Sequence, residues 1–390
     1  MNFELTEERR MLQDSLRRFL ADKYTTQVRN QILDSTAGLS ATIWSQMADL
    51  GVIGALLGED KGGFGGTGFD ITTVFEELGR AGVVEPFLDT AILGAGLIAE
   101  LGTDDHAGIL EYVMAGSVHL AFAHGEPTSR YDLNIVATTA QNRGDHYVLN
   151  GRKSVVVNAE AADHLVVSAR TSGDVDDQNG ISLFLVPADA DGLDLNGYPL
   201  ISGGRAAEIL MDGLVLPQDA LLGSEGNGFD AIEKSVAMAN VALVAEALGA
   251  METAARLTLD YLGTRTQFGR PIGSFQVLAH RMADVFIELE QARSAVILAA
   301  GHLEADRVTR ERHVSAAKHL IGRVGKLVAE ESIQMHGGIA MTQEYELAHI
   351  AKRIVMIDHR FGDTDHHLER FIALGADQLA GRSGTAATTA

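Results

Sequence analysis

Residues 118–170 read VHLAFAHGEPTSRYDLNIVATTAQNRGDHYVLNGRKSVVVNAEAADHLVVSAR, and this stretch decides the fold. Its apolar segments are short: His119–Ala123, Ile135–Thr139, Tyr147–Leu149, Ser154–Val157 and Leu165–Ala169. Runs of that length, rich in Val, Ile and Leu and bounded by Gly, Asn and Asp, read as strands. Ile181–Val186 and Ala207–Leu210 continue the pattern. Arg143-Gly144-Asp145, Asn150-Gly151 and Asn179-Gly180 supply turn chemistry, and Asn-Gly between apolar runs predicts a hairpin. No helix-length pattern separates the strands, so the sheet is expected to be mainly antiparallel.

On either side the period becomes helical. Met11, Leu12, Leu16, Phe19 and Leu20 recur at three- and four-residue spacing behind a capping Thr6. Asp70–Leu78 and Ala91–Leu101 read as further helices. After Gly226-Asn227-Gly228 the helical period returns, and Leu278, Met282, Val285, Phe286, Leu289, Ala292 and Val296 form one stripe behind Ser274 as expected N-cap. The expected class is α+β and multidomain. It has an N-terminal helical domain over 1–117, a middle antiparallel β domain over 118–225 and a C-terminal helical domain over 226–378, then a disordered tail over 379–390.

The 390 residues carry 53 Asp plus Glu against 31 Lys plus Arg, a formal net charge of −22. That balance argues against nucleic acid and anionic membrane surfaces, which need clustered cations. There is no cysteine, which removes disulfides, Cys-based metal sites and thiol nucleophiles. No run of about 18 uncharged apolar residues suggests a membrane span. The expectation is a cytoplasmic protein with a small-molecule ligand.

In so acidic a chain, local cationic spots are informative. Arg265 and Arg270 flank a Gly/Pro turn between two long helical patterns, and Gly273-Ser274 opens the second of them. Arginines beside a helix N-terminus suit a pyrophosphate, although a plain helix–helix loop with surface arginines fits equally well. Gln334-Met335-His336-Gly337-Gly338 reads as a helix stop, or as glycines that let backbone amides approach a nucleotide. Gly63-Phe64-Gly65-Gly66-Thr67-Gly68 matches G-x-G-x-x-G, but no strand leads into it and no βαβ series follows, so a flexible loop is the better reading. The acidic and histidine cluster from Asp358 to His367 lacks metal-ligand spacing.

Together these segments resemble the acyl-CoA dehydrogenase family over nearly the whole chain. The carriers are Leu120–Ala123 with Glu126-Pro127, Tyr147–Lys153 with Asn158-Ala159, the Arg265-x-Gln-Phe268-Gly-x-Pro-Ile…Phe275-Gln276 block, and Gln334-x-His-Gly337-Gly338 with Thr342-x-Glu-Tyr345. The resemblance implies a C-terminal four-helix bundle, a dimer or tetramer, FAD, and α,β-dehydrogenation of an acyl-CoA with an electron-transferring flavoprotein as acceptor. It implies that Arg265, Phe268, Gln276, Gln334, Gly337 and Gly338 are FAD contacts, made in trans to a neighbouring chain.

The same resemblance exposes departures. The Glu-Gly-Thr motif that carries the family's base is absent; Asp358 stands at the base position with a shorter side chain. At the family's second base position stands Ala239, with Asn240 where an arginine is common, and Glu246, seven residues on, is a weak substitute. Gly125 replaces the hydroxyl residue before Glu-Pro, Val155-Val156-Val157-Asn158 replaces Trp-x-Thr-Asn, and Thr128–Asp132 replaces Gly-x-Gly-Ser-Asp. Positions facing the flavin ring within the chain are altered, while those reaching a neighbour's FAD are kept. The pattern resembles the base-lacking partner chains of actinobacterial heteromeric acyl-CoA dehydrogenases. The expectation is a subunit completing a partner's FAD site; the alternatives are a self-sufficient dehydrogenase or oxidase with Asp358 as base, or a non-catalytic scaffold.

Overall fold

The computed structural model describes residues 5–386, and side chains for all of these except 104–105 and 377–386. The chain gathers into two compact units, one of residues 29–66 and 84–239, the other of residues 1–28, 67–83 and 240–390. Residues before the sheet contribute to both units.

The first unit holds a small helical part and the sheet. Its helical elements are α2 (Thr26–Leu33, whose first turn belongs to the other unit), α3 (Ala41–Asp49), a π-helical turn Leu88–Gly94, α5 (Ala95–Leu101) and α6 (Asp104–Met114). The sheet has eight strands: β1 (Leu120–Ala123), β2 (Thr139–Asn142), β3 (His146–Val157), β4 (His164–Arg170), β5 (Ile181–Pro187), β6 (Leu193–Pro199), β7 (Arg205–Pro217) and β8 (Leu221–Leu222). Their order is β6-β7-β3-β2-β4-β5-β8, with β1 beside β4. All pairings are antiparallel except β1 with β4 and one residue pair of β2 with β4. The core of this unit is lined by Leu149, Val156, Leu165, Val167, Ile209 and Leu216, with Tyr147 edge-on to Phe184 at 4.9 Å.

Asn150-Gly151 is not a hairpin. It lies inside the continuous β3, at a register shift against β7 where Asn150 Oδ1 accepts the Gly213 N–H at 2.8 Å. The extra residue of this bulge is on β7, where Asp212 and Gly213 face the single Asn150. Ile135–Thr139 is not a strand either; β2 begins only at Thr139. Arg143-Gly144-Asp145 does connect β2 to β3, with Gly144 at φ 96°.

The second unit is helical: α1 (Glu7–Lys23), α4 (Gly68–Ala81), most of α7 (Phe229–Thr264), α8 (Gln276–Gly301), α9 (Arg307–His336), α10 (Glu346–Asp358) and α11 (Thr364–Ala386). Thr6 caps α1 by accepting the Arg9 N–H, and Thr67 with Asp70 forms a capping box on α4. Ser274 does not cap α8; its hydroxyl donates to Pro271 O in a 3-10 turn, and the helix starts one residue past Phe275. Phe286 lies outside the buried stripe, 43% exposed. The α11 backbone continues through Ala386, past the expected start of the tail at 379, since an established helix gains a hydrogen bond with each added residue. Residues 387–390 of that tail lie outside the described residues.

α7 has the length and apolarity of a membrane span, although Glu246 and Glu252 interrupt its apolar run; 89% of its most apolar window is buried, as in a core helix. It crosses α4 backbone to backbone. A Cβ on Gly249 would meet Glu76 O, and one on Gly79 would meet Glu246 O. Gly249→Ala should therefore force the helices apart and cost about 2 kcal/mol, read as a lower urea midpoint with unchanged m.

Candidate functional site

The Gly63–Gly68 loop closes on itself. Gly63, Phe64, Gly65 and Gly66 donate their N–H groups to the carbonyls of Gly58, Gly54, Leu57 and Ala55, so those amides are spent and cannot cradle a phosphate.

The Arg265–Gln276 block makes a different structure. Thr266–Gln267 (β9) pairs with Arg270–Pro271 (β10) across a two-residue turn in which Phe268 and Gly269 both have positive φ, 53° and 78°. Such turns need left-handed backbone at both positions, which strains a phenylalanine. Phe268 is also 91% exposed, its main contact an edge-on approach of 6.2 Å to Phe275. Arg270 lies over the Phe275 ring at 4.0 Å. Arg265 and Gln276 are exposed. The hairpin thus presents a strained aromatic and two guanidinium groups outward, a cost that packing within the chain does not repay.

Gln334, Gly337 and Gly338 end α9 and are exposed. Gly337 has φ 70°, which favours glycine. Gly338 does not, and among the described residues no atom beyond its chain neighbours lies within 4 Å of where its Cβ would stand, so no packing there demands glycine. Its backbone is open to close approach. The Gly337 N–H is already given to Ile333 O, so the turn offers open backbone surface at Gly338. The residues present fit the nucleotide end of a dinucleotide: cations, an exposed ring and an unobstructed glycine backbone on one unit. His336 ties the two elements together. Its imidazole stacks on Tyr261, one turn before Arg265, at 4.5 Å.

Asp358 ends α10. Its carboxylate accepts the Thr364 hydroxyl at 3.0 Å and lies over Gly322 of α9, where a Cβ would collide with it. One stripe of α9 holds this whole turn. Lys318, fully buried, donates to the carbonyls of Ile357 (2.9 Å) and Asp358 (3.3 Å); His319 bonds Thr364 O (3.0 Å); Ser315 bonds His367, which also bonds Phe361 O (3.1 Å). Burial pulls the Lys318 amine down to about 7. Sequence reasoning missed this stripe; its spacing of Ser315, Lys318, His319 and Gly322 on one helix face was the available signal. Glu246 is buried and ion-paired with Arg353, so it is no free base.

In the sheet unit, the segment expected to face a flavin ring is apolar. Val155 has φ 54°, a genuine outlier for a β-branched residue, and is 55% exposed. Its N–H donates to Glu208 Oε1 at 3.1 Å. Asn158, at φ 66°, is buried and donates to Leu120 O at 3.3 Å. No hydroxyl or aromatic side chain stands at Gly125, Val155 or Val157. Among the described residues no group of three His, Asp or Glu is placed to hold a metal ion.

Three family models cover the chain: the acyl-CoA dehydrogenase N-terminal domain at residues 6–108, the middle domain at 121–209 and the C-terminal domain at 226–372. The chain is 30% identical to the short-chain-specific acyl-CoA dehydrogenase of Clostridium acetobutylicum, over 88% of this chain and 92% of that one. It is 27% identical to the caffeyl-CoA reductase-Etf complex subunit CarC of Acetobacterium woodii, over 88% and 91%. A solved variant of the Tcur3481-Tcur3483 steroid ACAD matches with a TM-score of 0.86 and 30% identity, over 96% and 99%. The chain belongs to the acyl-CoA dehydrogenase family, FAD-using oxidoreductases that act on the CH–CH bond of acyl-CoA thioesters.

Proposed function

We propose that the chain is one subunit of a hetero-oligomeric acyl-CoA dehydrogenase, in which it completes the nucleotide end of a neighbouring chain's FAD site. The carrying observation is an asymmetry. The outward-facing Arg265–Arg270 hairpin and Gly337–Gly338 turn are built, whereas Gly125, Val155 and Val157 leave the ring-facing segment without its polar groups. The pairing of two names in the Tcur3481-Tcur3483 steroid ACAD supports this reading. In it, Arg265, Phe268, Gln276, Gln334, Gly337 and Gly338 hold the adenine and pyrophosphate end. Bound FAD supplies the oxidising power for α,β-dehydrogenation of an acyl-CoA. Asp358 serves as a lock on the α10–α11 turn, and the α-proton is removed by a base on the partner. The chain works in the cytoplasm as a dimer or tetramer with three family domains (1–117, 118–225 and 226–378). It passes electrons to an electron-transferring flavoprotein, as the Etf-linked name of CarC suggests.

The test is flavin-to-protein stoichiometry after expression alone and after co-expression with a homologous acyl-CoA dehydrogenase chain. The expected result is a nearly colourless isolated chain and a yellow, active complex. Full flavin content and turnover in the isolated chain would reject the reading. In the complex, Arg265→Ala should weaken FAD retention about 10- to 100-fold, the scale of a lost charge-assisted hydrogen bond.

A further inference from the structure

His336 sits where three segments meet, and none of its ring is idle. Its Nδ1 lies 2.8 Å from Ser332 O, a group that can only accept. The proton therefore sits on Nδ1, and Nε2 offers a lone pair to the Tyr345 hydroxyl 3.0 Å away. Its face stacks on Tyr261 at 4.5 Å with planes 24° apart. The ring is 5% exposed, and burial favours the neutral form that this tautomer requires. The contacts come from three segments: Ser332 from α9 itself, Tyr345 from the residue before α10, and Tyr261, with the Leu257 carbonyl, from the last turns of α7. Tyr261 O in turn accepts the Arg265 N–H at 2.8 Å, and Gly337 directly follows His336.

We propose that His336 is a positioning residue that fixes the Arg265 hairpin and the Gly337–Gly338 turn in one register, so that both grip the adenylate end of the same FAD. This rests on reading those two elements as nucleotide contacts. A two-point grip depends on the separation of its points, and movement of a supporting group by about 1 Å weakens a preorganised site severely. Stacking sets the distance between α7 and α9. The Tyr345 hydrogen bond fixes the ring's rotation, and the Ser332 bond fixes the ring to its own helix. Without the imidazole each half of the grip survives, but their relation does not.

The experiment uses the flavin-loaded complex and two variants. His336→Phe keeps a ring for Tyr261 and loses both hydrogen bonds; Tyr345→Phe removes one hydroxyl and leaves the helix ends intact. FAD dissociation is expected to quicken about 10-fold in each. Binding of FMN, which lacks the adenylate, should be unchanged, a selectivity that a merely structural role would not produce. His336→Gln, with a donor and an acceptor, should restore part of the retention. Equal loss of FAD and FMN would overturn the proposal. So would unchanged FAD dissociation in both Phe variants alongside ready release from Arg265→Ala. Unchanged retention in Arg265→Ala would instead overturn the nucleotide-site reading, and the role of His336 with it.

Discussion

Replacing Lys153 with methionine is expected to destabilise the sheet unit by about 3–5 kcal/mol, because the change strands a buried carboxylate. Lys153 on β3 has no exposed surface, yet its ammonium has three donors and uses all of them: Glu126 Oε1 at 2.7 Å, Ser168 Oγ at 3.0 Å and His124 O at 3.2 Å. Glu126 also accepts the N–H groups of Ala137 (2.8 Å) and Thr138 (3.0 Å), so it organises the Glu126-Pro127 turn and the approach to β2. Burial pulls Lys153 down to about 8, against the attraction of Glu126. Burial alone would raise Glu126, but Lys153 and the hydrogen bonds outweigh it and hold the carboxyl low. Without the ammonium, only the two backbone N–H donors are left to offset the burial penalty. The double variant Lys153→Met with Glu126→Gln should recover part of the loss, since breaking a buried pair costs more than removing it whole. Urea unfolding checks both. A loss below about 1 kcal/mol in the single variant would show that the carboxylate finds water or a proton at little cost.

This network explains what was legible in the sequence and what was not. The helix–strand–helix layout is written in the change of period near residue 118, a local property. The Asn150-Gly151 misreading is local too: the dipeptide permits a turn, but whether it makes a turn or a bulge depends on β7, which offers the Gly213 N–H from 63 residues away. β6 went unread although Leu193, Leu195 and Tyr198 were in view, because Asn196-Gly197 looks like turn chemistry until β7 pairs with it. The hairpin and the glycine turn were legible because their chemistry is carried by consecutive residues. His336 was quoted within a motif without a role, because its role arises only when Tyr261 and Tyr345 arrive beside it. The ion pair of Glu246 was illegible for the same reason; Arg353, its partner, lies 107 residues away.

Lowering the pH from 6.5 to 5 is expected to remove about 3–4 kcal/mol of stability, well before most carboxylates titrate. Two imidazoles carry the effect. His124 is fully buried, and its pKa falls to about 3 through burial first and the nearby Lys153 second, with Glu126 opposing. His367, held by Ser315 and Phe361 O, is pushed down to about 2 by burial, then by Lys318 and His366. Both folded-state values lie below the ordinary 6.5, so between them and 6.5 the unfolded chain binds protons that the folded chain refuses. Stability therefore rises with pH in that window and falls as pH drops through it, by up to about 1.4 kcal/mol per unit for each ring. His119 and His336, also shifted down by burial, act with the same sign. Urea midpoints at pH 7, 6 and 5 give the slope. Asparagine at 367 or at 124 keeps a polar group without the titration, and each variant should lose its own share of the slope whatever it does to stability at pH 7. A wild-type slope that survives both substitutions would place the acid sensitivity elsewhere. A slope that drops in both would show that the turn closing α10 and the Lys153 network each keep a neutral imidazole at the cost of acid tolerance.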